Sequence, residues 1–221
     1  MVQSEAVQDY VKHIYLLQTR DEEGPATTNA LAASMGVSAA SATAMVKKLA
    51  AMGLATHRPY RGVELTDAGE RVALEVVRHH RLLELFLTRE LGLPWDAVHG
   101  EAEKLEHHLS EQLEATIDRA LGYPATDPHG DPIPSPDLVI ATAEDLCLGE
   151  LEPGQVAIVR RVPDGDPPLL RYLGELGIVP DARVQLVDKA PFGGPVTVDV
   201  AGAPYALGIE LASRIRVEVA Q

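Results

Sequence analysis

The stretch His99-Gly-Glu-Ala-Glu-Lys-Leu-Glu-His-His-Leu109 crowds three histidines and three glutamates into eleven residues. Imidazole nitrogens and carboxylate oxygens hold divalent transition metals. On a helix turning about 100° per residue, His99, Glu103, Glu106 and His107 fall at about 0°, 40°, 340° and 80°, on a single arc. His108 points away from its centre. Upstream, His80 and Glu84 have the i, i+4 spacing that lets two side chains grip one ion, and Asp9 precedes His13 by one turn. Spacing alone leaves a solvated, charged helix face standing beside a metal site. If a metal binds, carboxylates without a thiolate lean towards Mn²⁺ and Fe²⁺. The single cysteine, Cys147, excludes an internal disulfide and a multi-cysteine zinc or iron–sulfur site. It reads as a small buried hydrophobe. His79 and His108 read as surface residues, and His129 as a residue without a role.

The chain that must position these groups has 221 residues, 46% of them hydrophobic, enough for one large domain or two to three small ones. It shows neither a signal peptide nor a run of about 18 apolar residues, so a cytoplasmic protein with no membrane partner is expected. A net charge of −14 argues against nucleic acid. The acidity is unevenly spread, however. No Asp or Glu lies between Glu23 and Glu64, a window that contains Lys47, Lys48, Arg58 and Arg61.

From Ser4 to about Arg20, apolar Val7, Tyr10, Val11, Ile14 and Leu17 recur at helical spacing, and the stretch DEEGP ends the helix. A short helix capped by Thr27 or Thr28 then runs to Met35 and stops at Gly36; a second, capped by Ser38, runs to Gly53. This is the helix-turn-helix pattern. Two short strands around Pro59–Gly62 follow, making a winged variant with Arg58, Tyr60 and Arg61 on the wing. Ser38, Ala39, Ala40, Ser41 and Thr43 open the recognition helix, where hydroxyls and methyls reach base edges, while Lys47, Arg58 and Arg61 suit phosphates. With few bidentate base readers, DNA shape should contribute to specificity. Long helices are expected over about Asp67–Leu91 and Val98–Leu121, the second carrying Leu105, Leu109, Leu113, Ile117 and Leu121 as a four-residue stripe for dimerisation. Residues 122–137 contain five prolines and read as an extended linker. From about Leu151 onward, β-rich runs separated by Gly and Pro predict a small β-barrel.

Several of these stretches resemble the diphtheria toxin repressor family of metal-dependent transcriptional regulators, in its long three-domain form. They are DYVKHIY, MVKKLAAMGL, YRGVELTDAGE, HHRLLELFL, VHGEAEKLEHHLS, HGDPIP and LGELGIVPDARV. The resemblance implies an α+β multidomain chain: a winged helix-turn-helix over 1–70, a helical metal-binding and dimerisation domain over 71–140, and an SH3-like domain, akin to small ferrous iron transport proteins, over 141–221. It implies a homodimer on a double-stranded DNA operator, controlling genes such as those of metal transporters. Carried over position by position, it assigns ligand roles to Asp9, His80, Glu84, His99, Glu103, Glu106 and His107. Glu103 stands where the iron-responsive branch tends to carry Cys, which favours Mn²⁺ with Fe²⁺ second. Lys12 stands where manganese-branch members can carry an acidic ligand, with His13 as a substitute. Asp166 is the nearest candidate for a ligand from the last domain.

Two other functions compete. A winged-helix regulator of a non-metal signal would need a ligand pocket or reactive residue, and none is visible. A di-metal enzyme would use Glu and His three apart on two helices, whereas Glu103 and His107 are four apart without a second copy, and HExxH is absent. A regulator rather than an enzyme is expected.

Overall fold

The computed structural model describes residues 4–20, 25–58, 61–141 and 145–220. The chain divides into two compact units: Met1–His80 with Leu105–Ser110 and Pro134–Ile140, and Arg81–Lys104 with Glu111–Ile133 and Ala141–Gln221.

In the first unit, helix α1 (Glu5–Arg20) buries Val7, Tyr10, Val11 and Ile14, as their spacing predicts. Helices α2 (Thr28–Ser34) and α3 (Ala39–Ala51) follow, bent 109° from one another, the angle of a helix-turn-helix. Thr27 Oγ1 accepts from the Ala30 amide and Ser38 Oγ from the Ser41 amide, both at 3.1 Å, which satisfies otherwise orphaned N–H groups at each helix start. Gly36, at φ +62°, provides the left-handed step between them. Leu31, Ala42, Val46 and Leu49 close the core over α1. Strands β1 (Ala55–Arg58) and β2 (Gly62–Leu65) pair antiparallel as the wing, and Ala26 bridges Val63 at its edge. Pro59 and Tyr60 lie outside the described residues, as does most of the DEEGP stretch.

Helix α4 (Asp67–Arg89) starts at Thr66, whose Oγ1 accepts from the Gly69 amide at 3.2 Å and donates to the Gly53 carbonyl at 2.7 Å. A Cβ on Gly69 would lie 1.9 Å from the Leu54 carbonyl oxygen, so only glycine lets α4 pack this closely. The helix belongs to the first unit as far as His80.

The structure corrects the long helix expected from Val98 to Leu121. Helix α5 (His99–Leu105) gives way to a 3₁₀ turn at Glu106–His108, Leu109 is extended at ψ 119°, and α6 (Glu111–Ala120) starts afresh. The common arc and the leucine stripe therefore do not share one helix face. Ile117 and Leu121 are buried, while Leu105 and Leu113 are exposed.

In the second unit, six strands form an antiparallel sheet in the order β3-β8-β4-β5-β6-β7: β3 (Leu146–Cys147), β4 (Val156–Arg161), β5 (Arg183–Lys189), β6 (Val196–Val200), β7 (Ala203–Leu207) and β8 (Arg216–Val219). Their alternating Val, Leu and Ala residues make one core, against which Trp95 packs. Two helices were not anticipated, α7 (Pro167–Leu176) and α8 (Ile209–Ala212). Asp166 caps α7, accepting from the Leu169 amide at 3.2 Å.

The proline-rich stretch is not an extended linker. The Val162 amide donates to the His129 carbonyl at 3.0 Å, and Gly130 (φ +92°) lies so close to β4 that a Cβ there would be 1.9 Å from the Arg160 carbonyl oxygen. Arg81 donates to the Pro132 carbonyl at 2.5 Å and to Asp131 at 3.3 Å. In the first unit Arg78 likewise donates to the Pro134 carbonyl at 2.6 Å. Prolines exclude helix and strand interiors, but the carbonyls they leave exposed are good acceptors for buried arginines.

Candidate metal centre

Within the first unit, Asp9 and Lys12 on α1 face Glu106 and His107 on the 3₁₀ turn. His107 Nε2 lies 2.8 Å from Asp9 Oδ1 and 3.6 Å from Glu106 Oε1, and one donor atom from each residue falls within 4.8 Å of the others. His107 Nδ1 meets Gln8 Oε1 at 2.8 Å. A neutral imidazole carries one proton, so an acceptor at Nδ1 makes Nε2 the lone-pair nitrogen, turned towards the two carboxylates. Metal-ligating histidines are oriented in this way, by donating their other N–H to an oxygen. Glu106 is fully buried; its Oε2 accepts from His80 Nδ1 at 2.5 Å and its Oε1 from Lys12 Nζ at 2.6 Å. Burial pushes the Asp9 carboxyl up, opposed by the nearby His107 and Lys12.

Glu84 organises a second cluster, in the second unit. Its Oε1 lies 3.1 Å from His99 Nδ1, and His99 Nε2 lies 3.8 Å from Glu103 Oε1. Its Oε2 lies 3.7 Å from His129 Nδ1, and Glu84, Asp127 and His129, all buried, bring one donor atom each within 4.8 Å. His129, read from the sequence as having no role, donates from Nε2 to the Trp95 carbonyl at 2.8 Å. That bond makes its Nδ1 the lone-pair nitrogen of the neutral ring, and both this atom and Asp127 Oδ2 are buried without a hydrogen-bond partner. Arg81 Nε approaches Asp127 Oδ2 only to 3.9 Å. Burial alone would disfavour a charged His129 ring, but Glu84 and Asp127 outweigh it and raise its pKa to about 9, so without metal Nδ1 carries a proton that a bound ion would displace. Burial, with Asp131 and Glu84 adding, holds the Asp127 carboxyl well above the usual range. The donor sets of both clusters therefore fit a divalent ion: oxygen and imidazole nitrogen only, with oriented rings. The visible signal for Asp127 and His129 was another acid and imidazole two residues apart, masked by the prolines around them.

The remaining candidates fall elsewhere. His13 Nδ1 is hydrogen-bonded to Ser34 Oγ at 2.7 Å, tying α1 to α2. His79, expected on the surface, is buried, with Nδ1 3.1 Å from the Glu106 carbonyl oxygen. His108 is exposed. Cys147 is half-buried, and its Sγ accepts from Arg216 at 3.2 Å. Ser38, Ala39, Ala40, Ser41, Lys47, Arg58 and Arg61 are exposed. Thr43 is half-buried and donates to the Ala39 carbonyl at 2.7 Å, while the Ser38 and Ser41 hydroxyls lie 2.9 Å apart.

Three consecutive segments match family models: residues 3–63 the iron dependent repressor N-terminal DNA binding domain, 66–135 the iron dependent repressor metal binding and dimerisation domain, and 146–219 the FeoA domain. The iron-dependent repressor IdeR of Mycobacterium tuberculosis (strain ATCC 25618 / H37Rv) is 34% identical over 223 residues, covering 95% of each chain. The diphtheria toxin repressor of Corynebacterium glutamicum is 29% identical, covering 95% of this chain and 94% of its own.

The chain belongs to the diphtheria toxin repressor family.

A solved manganese-dependent transcriptional repressor in complex with manganese has the same fold, with a TM-score of 0.90 and 42% identity over 97% of this chain and all of that one (100%). The family consists of metal-dependent transcriptional repressors rather than enzymes, and this chain has its three-domain form. Among the described residues, no single helix is long and apolar enough to cross a membrane.

Proposed function

We propose that this repressor is activated by Mn²⁺, with Fe²⁺ as the second choice, and that it then binds a DNA operator as a homodimer in the cytoplasm. The observation that carries this reading is the crowding of Asp9, Glu106 and His107 around one imidazole nitrogen, between a helix of the DNA-binding unit and the 3₁₀ turn. Asp9, Glu106 and His107 hold one ion in this account. Glu84, with Asp127 and His129, holds a second, and His99 and Glu103 complete the ligand set beside it, His99 meeting Glu84 through Nδ1 and Glu103 through Nε2. His80, one turn before Glu84 on α4, belongs to the ligand set, its ring oriented by Glu106. The ions supply fixed positive charge that stabilises otherwise repelling carboxylates; they are effectors, not catalysts.

Asp9 on α1 and Glu106 on the turn bring two negative charges together, of which the Lys12 ammonium offsets one; a divalent ion would balance both and so hold α1 more firmly than Lys12 alone. Metal therefore favours the α1 position seen here, by its differential affinity for that state. With α1 fixed, the recognition helices α3 of a dimer reach successive major grooves, roughly 34 Å apart. Ser38, Ala39, Ala40, Ser41 and Thr43 face the bases, and Lys47, Arg58, Tyr60 and Arg61 the backbone. Residues 1–70, 71–140 and 141–221 form the DNA-binding, metal-binding and FeoA-type domains of this reading. Manganese is preferred because every proposed ligand is oxygen or imidazole nitrogen and Glu103 supplies a carboxylate rather than a thiolate. Operator binding measured against Mn²⁺ and Fe²⁺, in the wild type and in Glu103→Cys, tests the choice. The substitution should shift the preference towards Fe²⁺, and an unchanged preference would contradict it.

A further inference from the structure

The Asp9–Glu106–His107 cluster already contains a cation of the protein's own. Lys12, three residues after Asp9 on α1, is 3% exposed, and its Nζ donates to Glu106 Oε1 at 2.6 Å. That oxygen is also the one 3.6 Å from His107 Nε2. Any ion drawn by His107 and Asp9 therefore contends with the ammonium for the same carboxylate oxygen. The contact is not a loose surface pair: Glu106 is fully buried, and removing one partner of a buried ion pair leaves the other charge uncompensated.

We propose that Lys12 is the resident cation of this cluster, tying α1 to the Glu106 turn in the metal-free protein and restricting the cluster to a single divalent ion. The inference rests on the reading of this cluster as a metal site. Asp9 and Glu106 bring two negative charges, which one divalent ion balances; with Lys12 beside them a second such ion would face an excess of positive charge at short range. The arriving ion must take Glu106 Oε1 from the ammonium. A lysine suits that exchange, because its compact charge sits on a flexible stem that can swing aside without moving the helix that carries it. Arginine would not, since its planar fork holds a carboxylate more firmly. Lys12 thereby sets both the affinity of the site and the stability of the state that awaits the metal.

Mn²⁺ titrations of the 221-residue chain, with free ion read by electron paramagnetic resonance, give the number and affinity of bound ions. Melting in chelator reports the metal-free state. His107→Ala should bind one ion per subunit fewer than the wild type; if it loses none, the metal reading of the cluster fails, independently of Lys12. Given that loss, Lys12→Gln should bind its ion here at least tenfold more tightly and melt several degrees lower in chelator, whereas Lys12→Arg should bind at least tenfold more weakly. The arginine variant keeps a cation on Glu106, so it tests the competition even if the glutamine variant unfolds without metal. An Lys12→Arg affinity equal to the wild type, or an Lys12→Gln affinity and melting temperature unchanged from it, would overturn the proposal.

Discussion

At the scale of single residues, the rings are oriented by partners that the sequence pattern did not single out. Gln8 fixes His107 through Nδ1, and the Trp95 carbonyl fixes His129 through Nε2. Groups that orient a metal-ligating histidine typically govern affinity by about 10–100-fold. Gln8→Ala should therefore weaken Mn²⁺ binding by roughly that factor while leaving melting in chelator nearly unchanged, as paired titration and melting curves would reveal. Asp127 carries the opposite signature. Its carboxyl is held well above the usual range by burial first and then by Asp131 and Glu84. Such a group binds its proton more readily folded than unfolded. Its contribution favours the fold at low pH and is lost as pH rises above the unfolded value of about 4. Asp127→Asn should accordingly raise the melting temperature in chelator at neutral pH by roughly 2–4 °C, about 1 kcal/mol, and shrink the stabilisation that added metal provides. A variant less stable than the wild type in chelator would show that Arg81 and the charged His129 ring together outweigh the two carboxylates.

At the scale of elements, the winged helix-turn-helix was legible almost residue by residue. Its signals are local: the Thr27 and Ser38 caps, Gly36 at positive φ, and apolar spacing along α1 and α3. The break between α5 and α6 was less visible, because no glycine or proline interrupts Glu106–Glu111. Tertiary ion pairs override helix propensity there: the buried Glu106 carboxylate is fastened by Lys12 and His80, and the chain turns to deliver it. Ser110, followed by Glu111 and Glu114 in the first turn of α6, was the available start signal. The proline-rich stretch misled for a related reason, since composition excludes regular structure without excluding tight packing. Helix α7 was hidden among β-rich runs, although Asp166 followed by Pro167 and Pro168 is a helix-start pattern. One element contact gives a direct test of packing. Gly69 meets the Leu54 carbonyl, so Gly69→Ala should destabilise the first unit by about 1–3 kcal/mol, seen as a lower urea midpoint, despite alanine's better helix propensity.

At the scale of the whole molecule, the acidic balance that argued against nucleic acid proved a poor guide. Every acidic residue lies outside the stretch between Glu23 and Glu64, which holds the helix-turn-helix and where Lys47, Arg58 and Arg61 are exposed. Charge distribution rather than charge sum decides what such a chain can bind. The angular clustering in the sequence pointed to metal, yet it presumed one continuous helix. Instead the break assigns Glu106 and His107 to the first unit, and His99 and Glu103 to the second. The central claim is that metal held by Asp9, Glu106 and His107 makes the chain competent for DNA. The direct measurement is fluorescence anisotropy on an operator fragment selected from random DNA in the presence of Mn²⁺, repeated in chelator and with His107→Ala. The account predicts tight, salt-sensitive binding with Mn²⁺ and at least tenfold weaker binding both in chelator and for the variant. Equal affinity with and without metal would contradict it.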